Sequence, residues 1–86
     1  MRAIAFSQKA FKDYTAWALR DKKTFEKINV LILEIMREPF RGTGKPEPLR
    51  HEFKGFWSRR ISQEHRLIYE VTEKQIFIVS CEGHYT

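Results

Sequence analysis

A glycine- and proline-rich stretch, "FRGTGKPEP" at residues 40–48, divides the chain into two parts with different hydrophobic periods. Before it, apolar residues recur at the three- and four-residue spacing of helices, whereas short β-prone runs follow it. A chain of 86 residues in which β-prone runs follow helical ones is expected to form a single α+β domain.

The first part predicts a short strand followed by two helices. "RAIAF", residues 2–6, alternates imperfectly as a strand does, and Ser7 is a typical N-cap for a helix over residues 8–19. Asp21 can cap a second helix, which must end before Pro39 because proline disfavours helical geometry in the residue that precedes it. The almost absent loop between the helices predicts a hairpin.

Each helix has a candidate apolar face that should pack against a sheet. In the first helix the face comprises Phe11, Tyr14 and Ala18, with Trp17 beside them. In the second helix the steps of three and four residues select Phe25, Ile28, Ile32 and Ile35, with Leu31 and Met36 at the margins.

The second part predicts an antiparallel meander of three to four strands. The β-prone runs are "LRHEF", "FWSRRIS", "HRLIYEVT" and "QIFIVSC", and the links between them are short. Because side chains alternate along a strand, Arg59 and Arg60 are expected to point to opposite faces of the sheet. Arg60 and Arg66 share a face of the sheet only if an odd number of unpaired residues separates their strands, and the sequence leaves this open.

Charge and composition narrow the classes of partner. The net charge is +5, and residues 41–66 alone carry seven Lys/Arg against three Glu, with Phe53, Phe56 and Trp57 interleaved. This mixture favours a polyanion, in particular nucleic acid, over a merely solvated basic surface.

Cysteine and hydropathy exclude further classes. The single cysteine, Cys81, rules out an intramolecular disulfide and a cysteine-based zinc site, and its apolar surroundings predict a buried, inert thiol. No apolar run is long enough to span a bilayer and the N-terminus does not read as a signal peptide, so a cytoplasmic location is expected.

Several residues could handle phosphate and protons. Glu47 is a carboxylate held between two prolines in the basic region, and Arg60 and Arg66 could hold a phosphate or instead pair with glutamates such as Glu47, Glu64 or Glu70. His84 could exchange a proton near neutral pH, as could His51 and His65. Metal-free RNA cleavage needs a base, positive charge and an acid, but the sequence does not show that these residues converge.

The run "PFRGTGKPEPLRHEFKGFWSRRISQEHRLIYEV", together with the ending "CEGHY", resembles the YoeB/Txe family of bacterial toxins in the RelE-like superfamily. The resemblance extends over nearly the whole chain, and it implies the RelE-like, microbial-RNase-like fold. It also implies a ribosome-dependent endoribonuclease that cuts mRNA in the ribosomal A site without a cofactor or metal.

The resemblance also implies roles for particular residues. Glu47 matches the general base, Arg66 the arginine that stabilises the scissile phosphate, and His84 the general acid. The remaining matches are RNA- or phosphate-binding positions, namely Lys45, Arg50, Arg60 and Tyr85. Gly83 stands where relatives have a bulkier residue, and this glycine is expected to loosen the segment that carries His84.

The implied partners are mRNA on the ribosome, ribosomal RNA, an acidic antitoxin of the YefM/Axe type, and a second copy of the chain in a homodimer. Two other functions remain open at this point. One is a catalytically silent RNA- or ribosome-binding module, and the other is DNA-bound autoregulation together with the antitoxin.

Overall fold

The computed structural model describes residues 1–84, so the predicted role of Tyr85 lies outside the described residues. Two helices follow a first strand, and four strands and one 3-10 turn follow the helices. The elements are β1 (Ala3–Phe6), α1 (Gln8–Arg20), α2 (Lys22–Arg37), β2 (Glu47–Pro48), the 3-10 turn (His51–Phe53), β3 (Phe56–Arg60), β4 (Arg66–Val71) and β5 (Gln75–Ser80).

The strands form one mixed sheet in the order β1-β5-β4-β3-β2. The predicted antiparallel meander is confirmed, because β2, β3, β4 and β5 pair in turn with antiparallel neighbours. The first strand lies parallel to β5, and residues 7–74 connect the two strands, with the helix hairpin and then β2, β3 and β4 in between. The α+β class is therefore correct.

Both predicted helix caps are confirmed. The Ser7 side chain accepts a hydrogen bond from the backbone N–H of Ala10, and the Asp21 side chain accepts one from the backbone N–H of Thr24. The second helix ends at Arg37, two residues before the proline. In the described part of the chain, no helix is long and apolar enough to cross a membrane.

The core lies between the helices and one face of the sheet. The predicted face of α2 is confirmed, with Ile28, Leu31, Ile32 and Ile35 buried. The predicted face of α1 is only partly right. The buried residues of this helix are Ala10 and Trp17, whereas Phe11 is 54% exposed and Ala18 is exposed. Phe11 instead meets the edge of Phe6 at the rim of the core.

The predicted strand "LRHEF" is wrong. The strand in this region is Glu47–Pro48, within the supposed connector, and it ends because His51 has a φ of 58° and begins a 3-10 turn. An extended run cannot continue through a residue in the left-handed region. A two-residue edge strand also tolerates proline, which cannot donate to a ladder.

A fully buried arginine connects the helices to the sheet. The side chain of Arg59 points into the core side of β3, and its Nε donates to the hydroxyl of Tyr69 at 3.2 Å. Its other nitrogens form an ion pair with Glu34 and donate to three backbone carbonyls, those of Glu38, Arg41 and Thr43. The guanidinium thereby fixes the loop that leads from α2 to β2.

The carboxylate of Glu34 is the partly exposed end of this network. Partial burial opposes its ionisation, but hydrogen bonds from the backbone and hydroxyl of Thr43 and the charge of Arg59 outweigh that effect and hold the pKa of Glu34 below its ordinary value. Burial also raises the pKa of Tyr69, whose hydroxyl donates to the carbonyl of Pro39 at 2.7 Å.

Replacing Arg59 by alanine should lower the free energy of unfolding by about 3–5 kcal/mol, because it strands a partly buried carboxylate and several carbonyls without their donor. The matched control is Arg60→Ala, one residue away on the exposed face, which should change it by no more than about 0.5 kcal/mol. Urea denaturation at neutral pH measures both, and equal effects would contradict this account of the loop.

Stability should also fall with acid in a way that depends on Glu34. The pKa of Glu34 is lower in the folded protein than in the unfolded chain, where it is near the ordinary value of 4.5. The contribution of Glu34 to the free energy of unfolding is therefore complete above that pH and is lost as the pH falls through the folded pKa. Glu34→Gln should flatten the decline in unfolding free energy below about pH 4.5, whereas Glu26→Gln, at an exposed position of α2, should leave it unchanged. An unchanged slope in Glu34→Gln would refute the assignment.

Candidate active site

The pairing of β3 with β4 decides whether the two arginines cooperate. Arg60 lies directly opposite Arg66 in the antiparallel register, so their side chains leave the same face of the sheet. Five residues, 61–65, separate the two strands, which is the odd number that the shared face requires. The two arginines therefore share a face of the sheet, which the sequence alone left open.

The edge strand β2 brings Glu47 to this face. Glu47 is opposite Ser58, which is two residues from Arg60 and therefore on the same side of β3. Three residues before Glu47, the carbonyl of Gly44 accepts a hydrogen bond from the backbone N–H of Arg60 at 2.6 Å. Gly44 has a φ of 86°, and a Cβ there would lie 2.9 Å from the Arg60 carbonyl, so the close approach depends on glycine.

The segment after β5 delivers His84. It turns back across the start of β4, where the backbone N–H of Arg66 donates to the carbonyl of Gly83 at 2.8 Å. The N–H of Gly83 donates to Nδ1 of His65 at 2.9 Å. Gly83 has a φ of 90°, in the left-handed region that favours glycine, and it is bonded through both its N–H and its carbonyl; its effect on the mobility of the segment stays a prediction.

These three approaches enclose a cavity of about 260 Å³ on the open face of the sheet. It is lined by Lys45, Glu47, Leu49, Ser58, Arg60, Arg66 and His84. Five of the seven predicted site residues therefore meet in one place. Arg50 is exposed beside the 3-10 turn and does not line the cavity.

The guanidinium of Arg66 is fixed from behind. Its Nη1 donates to the carbonyls of Ser62, Gln63 and His65 at 2.6, 3.2 and 3.1 Å. Among residues 1–84 no group accepts a hydrogen bond from its Nε or Nη2. The side chain thus has an oriented set of donors still available.

The electrostatics of the cavity favour an anion. Burial, and then the charge of Arg60, lower the pKa of Arg66, while the charge of Glu47 acts in the opposite direction. Within the described residues, neither arginine forms an ion pair with a carboxylate, so the alternative pairings with Glu47, Glu64 or Glu70 are not observed. A phosphate between the two guanidinium groups would relieve their repulsion.

Glu47 and His84 bring a carboxylate and an imidazole to the cavity. Both side chains are exposed, and neither is engaged in an ion pair or side-chain hydrogen bond with any other residue in 1–84. A carboxylate and an imidazole at one anion-binding cavity can supply a base and an acid to a single phosphodiester. Over residues 1–84, no group of three or more His, Cys, Asp or Glu side chains is arranged to hold a metal.

The remaining candidates have other positions. His51 is exposed in the 3-10 turn and does not line the cavity, and His65 lies behind it. Cys81 is buried as predicted, and burial, with a contribution from the charge of Asp13, raises the pKa of its thiol to about 12. Ser58 and Leu49 also line the cavity and were not among the predicted site residues. Strand alternation could have suggested Ser58, because it lies two residues before Arg60 and therefore faces the same side of the sheet.

Known proteins are similar to this chain in sequence and in fold. The family model described as the YoeB-like toxin of bacterial type II toxin-antitoxin systems matches residues 6–85. Toxin YoeB of Escherichia coli strain K12 is 49% identical over 82 residues, which is 95% of this chain and 98% of that protein.

Two solved structures from Staphylococcus aureus are similar throughout. A YoeB dimer is 46% identical with a TM-score of 0.91 and covers 98% of both chains. The toxin of a YoeB-YefM complex is 44% identical with a TM-score of 0.89 and covers 99% of both. With a family match across nearly its whole length and these likenesses, the chain belongs to the YoeB-like toxins of bacterial type II toxin-antitoxin systems.

Proposed function

We propose that this toxin is a ribosome-dependent endoribonuclease that cleaves mRNA in the ribosomal A site and thereby inhibits translation. The observation that carries the proposal is the convergence of Glu47 and His84 on the cavity formed by Arg60 and Arg66. A protein that only bound RNA would need the positive charge, but it would have no need of a carboxylate held among these cations.

In the proposed reaction, Glu47 removes the proton from the ribose 2′-hydroxyl, and the 2′-oxygen attacks the adjacent phosphorus. The bond from phosphorus to the 5′-oxygen breaks, and His84 donates a proton to that leaving oxygen. The products are a 2′,3′-cyclic phosphate and a 5′-hydroxyl. No water is consumed, since the attacking group belongs to the RNA.

Positive charge stabilises the pentavalent phosphorane along this path. Arg66 provides donors that are already oriented by the loop carbonyls, so little reorganisation is needed when negative charge develops. Arg60 and Lys45 add charge from the neighbouring strand and from the loop before β2. These cations take the part that a metal ion has in other nucleases.

The lining of the cavity supports dependence on the ribosome. It offers charged side chains to a phosphodiester, but among residues 1–84 it contains no Phe, Trp or Tyr side chain on which a flanking base could stack. The RNA must therefore be aligned by groups outside the cavity, and in-line attack is very sensitive to alignment. Ribosomal RNA and the A site would supply that alignment, with exposed basic residues outside the cavity, Arg50 among them, contacting phosphates of the ribosomal RNA.

An acidic antitoxin of the YefM type is the proposed partner that silences this activity. The Staphylococcus aureus relative is known as a YoeB-YefM complex and also as a YoeB dimer. For this chain, a net charge of +5 favours an acidic segment that folds as it binds over the cationic face. A homodimer of the toxin is proposed on the same likeness, and the site acts in the cytoplasm, where ribosomes are accessible.

Cleavage of mRNA on a programmed ribosome should depend on each of the three central side chains. Arg66→Ala should slow single-turnover cleavage by about 10²–10³-fold through lost charge stabilisation. Glu47→Gln and His84→Ala should each slow it by about 10²–10⁴-fold through lost proton transfer. Gel analysis of end-labelled mRNA measures these rates.

The matched control is Lys27→Ala, an exposed cation on α2, which packs on the opposite face of the sheet and should leave the rate unchanged. A sulfur at a non-bridging position of the scissile phosphate should slow cleavage without rescue by Cd²⁺ at constant Mg²⁺, since no metal contacts that atom. Ribosome binding without any cleavage would instead establish the silent RNA-binding module, and near-normal cleavage by Glu47→Gln would disprove the base assignment.

The antitoxin proposal predicts a salt-sensitive complex. The product of a small acidic gene beside the toxin gene should bind the purified chain and abolish cleavage, and its affinity measured by calorimetry should fall as salt screens the charges. Failure of such a protein to bind, or sequence-specific operator binding by the toxin alone, would contradict this assignment.

A further inference from the structure

His65 lies behind the candidate active site, between α1 and residues 81–84. Its ring meets Trp17 edge-on, with ring centroids 4.9 Å apart and an interplanar angle of 80°. Its Nδ1 accepts the hydrogen bond from the backbone N–H of Gly83 at 2.9 Å. In this geometry Nδ1 carries a lone pair rather than a proton.

The segment that precedes His84 is fixed one residue at a time. The N–H of Cys81 donates to the carboxylate of Asp13 at 3.3 Å, and Nε1 of Trp17 donates to the carbonyl of Cys81 at 2.9 Å. Arg20, which stacks over Trp17, lies 3.7 Å from the carboxylate of Glu82. These contacts all come from α1 and end at residue 82.

The next residue, Gly83, is bound by His65 and by Arg66. Gly83 is held by His65 through its N–H and by the backbone of Arg66 through its carbonyl. In the described chain, His65 is the one residue whose side chain bonds to Gly83. Glycine has wide backbone freedom, so the direction in which His84 leaves the segment depends on these two bonds.

We propose that His65 is a positioning residue for His84. By holding the N–H of Gly83 while Trp17 fixes its ring, it keeps the imidazole of His84 directed into the cavity beside Arg66. The inference rests on the proposed function, in which His84 protonates the leaving 5′-oxygen. A proton donor must lie within hydrogen-bond reach of that oxygen, and a displacement of about 1 Å can cost about 10²-fold in rate.

Two substitutions separate positioning from simple packing. His65→Phe keeps a ring against Trp17 but loses the acceptor for Gly83. His65→Asn loses the ring but places its Oδ1 at the same number of bonds from the backbone as Nδ1. His65→Gln is the matched control for Asn, because its amide oxygen extends to the distance of Nε2 rather than Nδ1.

Positioning predicts that His65→Phe and His65→Gln slow single-turnover cleavage at saturating ribosome by about 10–100-fold, while His65→Asn retains most of the rate. Packing alone predicts the reverse order, with Phe active and Asn impaired. Ribosome binding should be unchanged in all three, because the proposed defect is in proton transfer and not in association.

A second substrate shows whether the defect acts through His84. An mRNA with sulfur in place of the leaving 5′-oxygen needs no general acid, since a thiolate leaves without a proton. The rate on this substrate relative to natural mRNA should rise strongly in His84→Ala and in His65→Phe compared with the wild type. This ratio is taken within one preparation and is independent of the fraction that is folded.

The outcomes are distinguishable. If His84→Ala shows no relative gain on the sulfur substrate, the proposed acid role of His84 is wrong, and the inference falls with it. If His84→Ala gains and His65→Phe does not, the proposed function stands and the positioning role of His65 is overturned. Gains in both, with Asn active and Gln impaired, establish the role.

Discussion

The guanidinium of Arg59 is the interaction on which the rest of this small fold depends. A fully buried charge is tolerated only when its donors are satisfied, and here Glu34, the hydroxyl of Tyr69 and three loop carbonyls satisfy them. The loop that these bonds fix leads directly to Gly44 and Glu47. A buried ionic network, rather than apolar packing, therefore sets the position of the proposed base.

Adjacent residues of one strand divide two tasks in this arrangement. Arg59 faces the core and builds the scaffold, while Arg60 faces the opposite side and meets Arg66 across the ladder. Because the two residues are adjacent in β3, the contacts that fix the Arg59 side chain also fix the backbone from which the Arg60 side chain extends. The cavity stays open and cationic because, among residues 1–84, neither exposed-face arginine pairs with a carboxylate.

Features that depend on neighbouring residues could be predicted from the sequence, whereas contacts between residues far apart in the sequence could not. The caps at Ser7 and Asp21 and the apolar face of α2 depend on neighbours in sequence, and they were predicted correctly. The strand "LRHEF" was wrong because nothing in the composition signals a positive φ at His51, a residue without glycine's freedom. The burial of Arg59 was missed because its main partners lie in α2 and in the loop after it, 16 to 25 residues away in the sequence. The chemistry of the residues had already made Glu47, the two arginines and His84 candidates, and the resemblance then assigned their roles. Their convergence could not be predicted, because it depends on the strand register.

The central claim is that the cavity performs metal-free transesterification of RNA, and the chemistry of the new ends tests it most directly. Fragments of mRNA cut on ribosomes by the wild-type protein would be treated with polynucleotide kinase without prior phosphatase, and their 3′ ends analysed by mass spectrometry. Transesterification should leave 5′-hydroxyl ends, which the kinase labels without prior phosphatase, and 2′,3′-cyclic phosphates on the upstream fragments. Ends bearing a 5′-phosphate and a free 3′-hydroxyl would contradict it, because they require attack by water rather than by the ribose.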